Sequence, residues 1–122
     1  MSETQKKILI VEDEKLITKV LNHKLIEAGY ETKMASDGQE ALELLNKEQF
    51  DLIILDLVMP NKDGFAVLKE LRRNHNHIPI VVTSNLSQEE DIKYAMALGV
   101  KKYFVKIQST LQDIVDEVKR LV

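Results

Sequence analysis

The sequence predicts an α/β fold, in which a doubly wound parallel sheet of five strands carries helices on both faces. Two kinds of apolar segment alternate along the chain: short continuous runs, typical of strands buried on both sides, and longer stretches with helical spacing. Strict alternation of strands and helices favours a parallel sheet with right-handed crossovers. Because the chain has 122 residues, we expect one domain over residues 1–122, built around a single sheet.

Three aliphatic runs without polar interruption predict the central strands of the sheet. These runs are Ile8–Val11, Leu52–Leu55 and Ile80–Val82. Pro79 is expected to start the last of them, where its missing N–H is tolerated. Thr32–Ala35 and Tyr103–Val105 are less apolar, so we expect these two strands nearer the sheet edges.

Five further stretches place apolar residues on one face of a helix, which completes five β-α pairs. The residues are Leu16, Ile17, Val20, Leu21, Leu25 and Ala28; Ala41, Leu42, Leu44 and Leu45; Phe65, Val67, Leu68 and Leu71; Ile92, Ala95, Met96 and Leu98; and Leu111, Ile114, Val115, Val118 and Leu121. Asp37-Gly38 and Asp63-Gly64 mark the turns that open helices two and three. Ser87, with Glu90 three residues later, matches a capping box ahead of helix four.

The composition excludes several classes of function. The 17 basic and 20 acidic side chains give a net charge of −3 without a long basic run, so we expect no direct nucleic-acid binding. The absence of cysteine excludes disulfides, thiolate catalysis and thiolate metal sites. No apolar run reaches the length of a bilayer, and the first seven residues are polar, so we expect a cytoplasmic protein without a membrane partner.

Acidic residues follow two of the predicted central strands. Ligands of open α/β sheets bind at the carboxyl ends of strands, where the strand order reverses. Glu12, Asp13 and Glu14 follow strand one and Asp56 follows strand three, so their carboxylates converge if the order is 2-1-3-4-5. Crowded carboxylates favour a divalent cation, and an all-oxygen ligand set fits Mg²⁺ best. Consecutive acids at this position argue against a flavin-phosphate or dinucleotide site.

The remaining strand ends add a hydroxyl and a positive charge. Strand four ends at Thr83 and strand five leads to Lys106. An ammonium, a hydroxyl and a metal ion around one carboxylate form the set that phosphoryl transfer needs, because they neutralise and position the transferred oxygens. We therefore predict that Asp56 is a nucleophile that forms an aspartyl phosphate.

Four ordered motifs resemble those of a known family. They are Ile8–Glu14, Asp56–Gly64, Pro79–Ser84 and Gly99–Lys106. From Lys6 to Leu121 the chain resembles the receiver domain of two-component response regulators, of the stand-alone, chemotaxis-regulator-like kind. The resemblance implies a (βα)5 flavodoxin-like fold with strand order 2-1-3-4-5. It also implies a signalling switch that takes a phosphoryl group from a histidine kinase or phosphotransfer protein.

The resemblance assigns roles to the acidic residues by position. It implies that Asp56 is the phosphoacceptor and also a metal ligand. Asp13 would ligate Mg²⁺ directly, Glu12 mainly through water, and Val58 through its backbone carbonyl. Mn²⁺ is expected to substitute for Mg²⁺.

The resemblance also assigns the remaining strand-end residues. Thr83 and Lys106 would stabilise the phosphoryl oxygens, and Thr83 with Tyr103 would form the switch. Val58 and Asn85 would tune the lifetime of the phosphate. The face made by helix four, strand five and helix five would bind a downstream protein, and the domain would be a monomer or a weak dimer through that face.

Three positions depart from the family pattern. Ile107 follows Lys106 where the family usually has proline, often after a cis bond. A cis bond would cost a non-proline residue about 2.5 to 4 kcal/mol, so we expect a trans bond and an altered loop around Lys106. Ser84 replaces a small apolar residue and adds a hydroxyl near the site. Val58 cannot orient an attacking water, which predicts slow self-hydrolysis.

Two rival functions stay open beside the switch. The first is a degenerate receiver that works as a constitutive protein-interaction module. The second is a Mg²⁺-dependent phosphatase with an aspartate nucleophile, which would need a carboxylate where this chain has Val58. On the main reading the chain is a phosphoacceptor rather than an enzyme, although it assists its own phosphorylation and slow dephosphorylation. Since the fifth helix reaches the end of the sequence, we expect a stand-alone receiver or one excised from a longer protein.

Overall fold

The computed structural model describes residues 5–122 as five strands that alternate with five α-helices. The strands are β1 Lys7–Val11, β2 Glu31–Ala35, β3 Leu52–Leu55, β4 Ile80–Ser84 and β5 Lys102–Val105. The α-helices are α1 Lys15–Glu27, α2 Gly38–Lys47, α3 Gly64–Arg73, α4 Glu89–Ala97 and α5 Leu111–Leu121, and a one-turn 3₁₀ helix covers Lys106–Gln108. All strand pairs are parallel, in the order β2-β1-β3-β4-β5. This arrangement confirms the predicted fold.

The sheet separates two hydrophobic layers, and alternate residues of each central strand enter opposite layers. Ile8 and Ile10 of β1 pack with α1 and α5. Leu9 and Val11 of the same strand pack with α2, α3 and α4. Because both faces of β1, β3 and β4 are covered, every position of these strands that faces a helix layer favours an aliphatic residue. This requirement explains the unbroken apolar runs in the sequence.

The apolar faces predicted for two helices are wider than the surface that the structure buries. In α1, Leu21 and Leu25 are buried, but Leu16 and Val20 remain 74% and 37% exposed. In α4, Met96 is exposed. Leu16 and Val20 lie one helical turn apart at the edge of the apolar stripe, beyond the part that faces the sheet. They therefore share the predicted apolar face of α1 without joining the core.

Helices α2 and α3 begin where the sequence predicts, whereas α4 does not. The carboxylate of Asp37 accepts from the N–H of Glu40, and the carboxylate of Asp63 accepts from the N–H of Ala66. Helix α4 instead follows Gln88, whose side chain makes no capping bond. The predicted capping box at Ser87 was wrong, because the first helical residue lies one position later than that motif requires. No helix within residues 5–122 is long and apolar enough to cross a membrane.

Candidate phosphoacceptor and metal site

The carboxyl ends of β1 and β3 bring two buried carboxylates together. Val11 pairs with Leu55 in the sheet, so the residues that follow them, Glu12 and Asp56, lie level on neighbouring strands. The N–H of Asp56 extends this ladder by donating to the carbonyl of Val11 at 2.9 Å. Glu12 and Asp56 are only 5% and 3% exposed. Two acids in such a position require compensating positive charge.

Lys106, directly after β5, supplies that charge. Its Nζ lies 2.8 Å from Oε1 of Glu12, 3.2 Å from Oδ2 of Asp56 and 3.3 Å from Oε1 of Glu14. No peptide bond in the described residues is cis, as expected for Ile107, whose side chain is 81% exposed. The backbone forms a 3₁₀ turn there, and Lys106 still reaches the carboxylates. The non-proline residue therefore leaves Lys106 aimed at the site.

Each buried carboxylate uses its second oxygen in the same way. Oε2 of Glu12 accepts from the N–H of Glu14 at 3.1 Å. Oδ1 of Asp56 accepts from the N–H of Val58 at 3.2 Å. Each of the four carboxylate oxygens of Glu12 and Asp56 thus has one donor, either Lys106 or a backbone N–H. The short turn after each strand therefore fixes the direction of the carboxylate that precedes it.

Burial has the largest effect on the pKa values of the two buried carboxyl groups. It raises the pKa of Glu12 from 4.5 to about 7, against the hydrogen bonds from Lys106 and Glu14. Burial also raises the pKa of Asp56, although the charge of Lys106 and the N–H of Val58 oppose it. Burial alone lowers the pKa of Lys106, but the hydrogen bond to Glu12 and the charge of Asp56 outweigh it, so the pKa of Lys106 is raised. Lys106 is therefore charged, while its two buried partners carry charge at a cost.

Oxygens of Glu12, Asp13 and Asp56 lie close enough to hold one metal ion. One carboxylate oxygen from each residue falls within 4.8 Å of the other two. The Asp13 side chain is exposed and the other two are buried, so the group opens to solvent on one side. An all-carboxylate donor set with positive charge from only one lysine fits a hard divalent cation such as Mg²⁺.

The other predicted residues surround this group. Leu55 pairs with Val82, so Asp56 is level with the buried Thr83 at the end of β4. Val58 is 55% exposed, and Asn85 is exposed after β4. Both therefore lie where solvent reaches the carboxyl edge of the sheet.

Tyr103 and Ser84 contact the loop between β4 and α4. The hydroxyl of Tyr103 donates to the carbonyl of Leu86 at 2.7 Å. The hydroxyl of Ser84 accepts from the N–H of Leu86 at 3.1 Å. The hydroxyl of Ser84 thus binds the backbone of the loop between β4 and α4.

Glu14 is the acid of this group for which the family resemblance implies no role. Its carboxylate pairs with Lys106 across the mouth of the site, and its N–H donates to Glu12. The run of three acids after β1 was visible in the sequence. Which of the three would reach Lys106 depends on side-chain direction, which the run itself does not encode.

Comparisons with known proteins identify the family of this chain. The profile of the family described as response regulator receiver domain matches residues 8–119. The chain belongs to this family. Receiver domains bind Mg²⁺ at an acidic pocket, and the group formed by Glu12, Asp13 and Asp56 could hold such an ion here.

The curated relatives of this receiver domain are longer regulators. The probable transcriptional regulator ycf27 of Guillardia theta is 41% identical over 104 residues, which are 85% of this chain and 41% of that protein. The alkaline phosphatase synthesis transcriptional regulatory protein PhoP of Bacillus subtilis is 40% identical over 101 residues, which are 83% of this chain and 42% of that protein. The chain thus spans about two fifths of the length of these relatives.

Solved structures of receiver domains superpose closely on this one. The receiver domain of the Francisella response regulator 1452 has a TM-score of 0.90 at 32% identity, with 96% of each chain covered. Chemotaxis protein CheY4 of Vibrio cholerae has a TM-score of 0.87 at 30% identity, covering 98% of this chain and 100% of that one. TrrA of Thermotoga maritima, solved in complex with Mg²⁺ and BeF, has a TM-score of 0.83 at 31% identity, covering 97% of this chain and 100% of that one.

Proposed function

We propose that this receiver domain is a phosphorylation-dependent switch in which Asp56 accepts a phosphoryl group from a histidine kinase or a phosphotransfer protein. The observation that carries the proposal is the position of Asp56. Its carboxylate is buried at the end of a central strand, 3.2 Å from Lys106, with oxygens of Glu12 and Asp13 beside it. We further propose that residues 1–122 form one such domain and that it works in the cytoplasm.

In the proposed reaction, a carboxylate oxygen of Asp56 attacks the phosphorus of a phosphohistidine. An oxygen–phosphorus bond forms, the phosphorus–nitrogen bond breaks, and the nitrogen of the donor histidine keeps the electron pair. Asp56 must be unprotonated to attack, and Lys106 favours that form against the effect of burial. Lys106 and the hydroxyl of Thr83 then bind the transferred oxygens, whose charge develops in the transition state.

The proposed Mg²⁺ would neutralise the phosphoryl oxygens and the carboxylates at the same time. Asp13 and Asp56 would bind it directly, Glu12 mainly through water, and Val58 through its carbonyl, with Mn²⁺ as a substitute. The complex of TrrA from Thermotoga maritima with Mg²⁺ and BeF supports the choice of Mg²⁺ by similarity.

We propose that the switch runs through Thr83 and Tyr103 to the face of α4, β5 and α5. The hydroxyl of Tyr103 on β5 donates to the carbonyl of Leu86, in the loop between β4 and α4. Thr83 lies at the end of β4, just before this loop, so a shift of Thr83 would change that contact. A phosphoryl group can drive this change only by interacting differently with two conformations. The same face would bind a downstream protein or a second copy in a weak dimer, and the domain would otherwise be a monomer.

The lifetime of the phosphate is proposed to depend on Val58 and Asn85, which are exposed at the edge of the site. An aliphatic Val58 offers no hydrogen bond that would orient an attacking water. The domain is thus a phosphoacceptor that assists its own phosphorylation and slow dephosphorylation rather than a turnover enzyme.

The transcriptional role in the relatives' names belongs to longer proteins, and for this domain we propose protein contacts without direct binding to nucleic acid.

Treatment with acetyl phosphate and Mg²⁺, followed by intact mass and peptide mapping, tests the proposal. We expect one phosphoryl group per chain on Asp56, none after removal of divalent cations, and none in Asp56→Asn. The matched control Asp51→Asn alters an aspartate at the opposite end of β3 and should be labelled like the wild type. Absence of an adduct would favour a constitutive interaction module, and repeated turnover of a phosphate ester would favour a phosphatase.

A further inference from the structure

The loop after Asp56 carries Val58, and its side chains alternate between core and solvent. Leu57 and Met59 are buried, whereas Val58 is exposed. At its far end the loop meets the first residue of α3, Gly64, whose N–H donates to the carbonyl of Leu57 at 3.0 Å. A Cβ at Gly64 would lie 2.4 Å from the carbonyl oxygen of Asp56, so this helix can start here only with glycine. The start of α3 therefore packs directly against the backbone of Asp56 and Leu57.

The outer side of this loop is bound to the start of α2 by a second set of contacts. The side-chain amide of Asn61 donates to Oδ2 of Asp37 at 2.8 Å. The N–H of Gly38 donates to the carbonyl of Lys62 at 2.9 Å. We call Asp37, Gly38, Asn61 and Lys62 the clamp. A Cβ at Gly38 would lie 2.1 Å from the oxygen of Lys62, so only glycine allows this approach.

Asp37 serves two elements at once. Its Oδ1 accepts from the N–H of Glu40 and caps α2 at 2.8 Å, while its Oδ2 holds Asn61. Both bonds lower the pKa of Asp37, the backbone bond more strongly. The carboxylate, which lies 24 residues before Asn61 in the chain, thus ties the loop after β3 to the start of α2.

Asn61 adopts a backbone conformation that needs support from its surroundings. Its φ of 64° lies in the left-handed region, which asparagine tolerates better than most residues but does not prefer. Asn61 is exposed, so burial of its side chain does not hold it there. The bond to Asp37 is the side-chain contact that the structure gives it. A strained residue held by a contact of this kind points to a geometric requirement nearby.

We propose that Asp37 and Asn61 are positioning residues for the metal and phosphoryl site, although neither contacts it. This inference rests on the proposed function, in which the carbonyl of Val58 is a metal ligand. A side-chain ligand can rotate toward an ion, whereas a backbone carbonyl is aimed only by the path of its chain. The clamp fixes that path three residues beyond Val58, and the same path keeps the N–H of Val58 on Asp56.

Three variants separate positioning from simple capping. Asp37→Ser keeps a good helix cap but is too short to hold Asn61. Asn61→Gly keeps the left-handed backbone and loses only the amide. Asp37→Asn keeps the cap through its amide oxygen and removes the charge. Its NH2 group can donate to Oδ1 of Asn61 once the Asn61 amide turns over, so the two side chains remain bonded. The control Thr110→Ala removes an equivalent cap from α5, where the hydroxyl accepts from the N–H of Asp113 at 3.0 Å, away from the clamp.

The first measurement is amide hydrogen exchange at Val58 in the metal-free protein, and the second is the Kd for Mg²⁺ alone by NMR titration. We expect faster exchange at Val58 and roughly tenfold weaker Mg²⁺ binding in Asp37→Ser and Asn61→Gly. Asp37→Asn should stay close to wild type, and Thr110→Ala should lose stability without a change in Kd.

The outcomes separate this inference from the function on which it rests. Failure of the wild type to bind Mg²⁺ would overturn the proposed metal site, whereas exchange at Val58 would still report on the clamp. Wild-type Kd and wild-type exchange in Asp37→Ser and Asn61→Gly would overturn the inference alone. Equal weakening in Asp37→Asn and Asp37→Ser would also overturn it, because the charge rather than the bond to Asn61 would then be the cause.

Discussion

Two lysines stand at opposite ends of the sheet, and each lies among carboxylates. At the amino end, Lys7 pairs with Glu48 and with Glu31 at 3.8 Å, and Lys33 also pairs with Glu48 at 3.6 Å. We call these four residues the Lys7 group. At the carboxyl end, Lys106 pairs with Glu12, Glu14 and Asp56, and Asp13 lies beside them. We call these five residues the Lys106 group.

The two groups differ in charge balance and in access to water. The Lys7 group has two lysines for two glutamates, and its side chains are 20% to 51% exposed. The Lys106 group has four acids for one lysine, and the side chains of Glu12 and Asp56 are 3% and 4% exposed. Burial penalises every uncompensated charge, so only the second group is left in need of a further cation.

The pKa values of the acids in the two groups show the same contrast. The hydrogen bond from Lys7 lowers the pKa of Glu48, whereas burial raises the pKa of Glu12 to about 7. A lowered carboxyl pKa means that folding favours the charged form, and a raised one means that folding opposes it. The Lys7 group therefore stabilises the fold, and the Lys106 group costs stability in exchange for a site that can bind a metal and a phosphoryl group.

The largest difference between the groups is expected when each loses its lysine. Lys106→Met leaves the buried Glu12 and Asp56 without positive charge, which should destabilise the metal-free protein by roughly 3 kcal/mol at pH 8. Lys7→Met should cost much less, because water screens its partners. Urea unfolding of both variants measures the two losses. Equal losses would mean that burial does not distinguish the groups.

Removing one acid from each group should change stability in opposite directions. At pH 8 the pKa of about 7 for Glu12 predicts that Glu12→Gln raises the free energy of unfolding by roughly 1 to 3 kcal/mol. Glu48→Gln should lower the same free energy, since the pKa of Glu48 is lowered by its lysine. Thermal and urea unfolding of the metal-free variants test the signs. A loss of stability in Glu12→Gln would contradict the contrast.

The dependence of stability on pH should follow the Lys106 group. Between pH 5 and 7 the folded protein keeps a proton on Glu12 that the unfolded chain has released, because the pKa is about 7 rather than 4.5. The free energy of unfolding should therefore fall by roughly 1 to 2 kcal/mol as the pH rises from 5 to 8. Asp37 and Glu48, whose pKa values are lowered, lose charge only at more acidic pH and leave this window unchanged.

Unfolding at several pH values in wild type and Glu12→Gln provides the measurement for this effect. The slope should flatten in the variant, whereas Glu48→Gln should retain it. A slope of the opposite sign above pH 5 would show that some other group controls stability there.

Much of the Lys106 group could be predicted from the sequence because its members directly follow strands. Once the apolar segments of the sequence fix β1, β3 and β5, a parallel sheet places Glu12, Asp56 and Lys106 at one edge. The register then needs no further information, since neighbouring central strands of similar length end together. Thr83 could be placed for the same reason.

Other features depend on details that residue type does not encode. The bond between Asp37 and Asn61 requires a left-handed backbone at Asn61 and a particular side-chain direction, and neither follows from the motif. Exposure of Leu16 shows that helical spacing gives the direction of an apolar stripe but not how much of its width the sheet covers. The Lys7 group was not predicted, because charged residues at strand starts are usually solvated singly.

The smallest effect expected is that of Mg²⁺ on the unmodified protein, and it should act on one group only. At a tenfold excess over its Kd, a ligand of the folded state raises the free energy of unfolding by about 1.4 kcal/mol. Asp13→Asn should abolish most of this gain at little cost to the metal-free protein, because the Asp13 side chain is exposed. Glu31→Gln should retain the stabilisation by Mg²⁺. The Lys7 group has two lysines and two glutamates, so its charges are balanced and it does not need a cation. Thermal unfolding across a Mg²⁺ titration measures these shifts, and an equal loss in both variants would indicate general screening by the ion rather than binding at the acidic site.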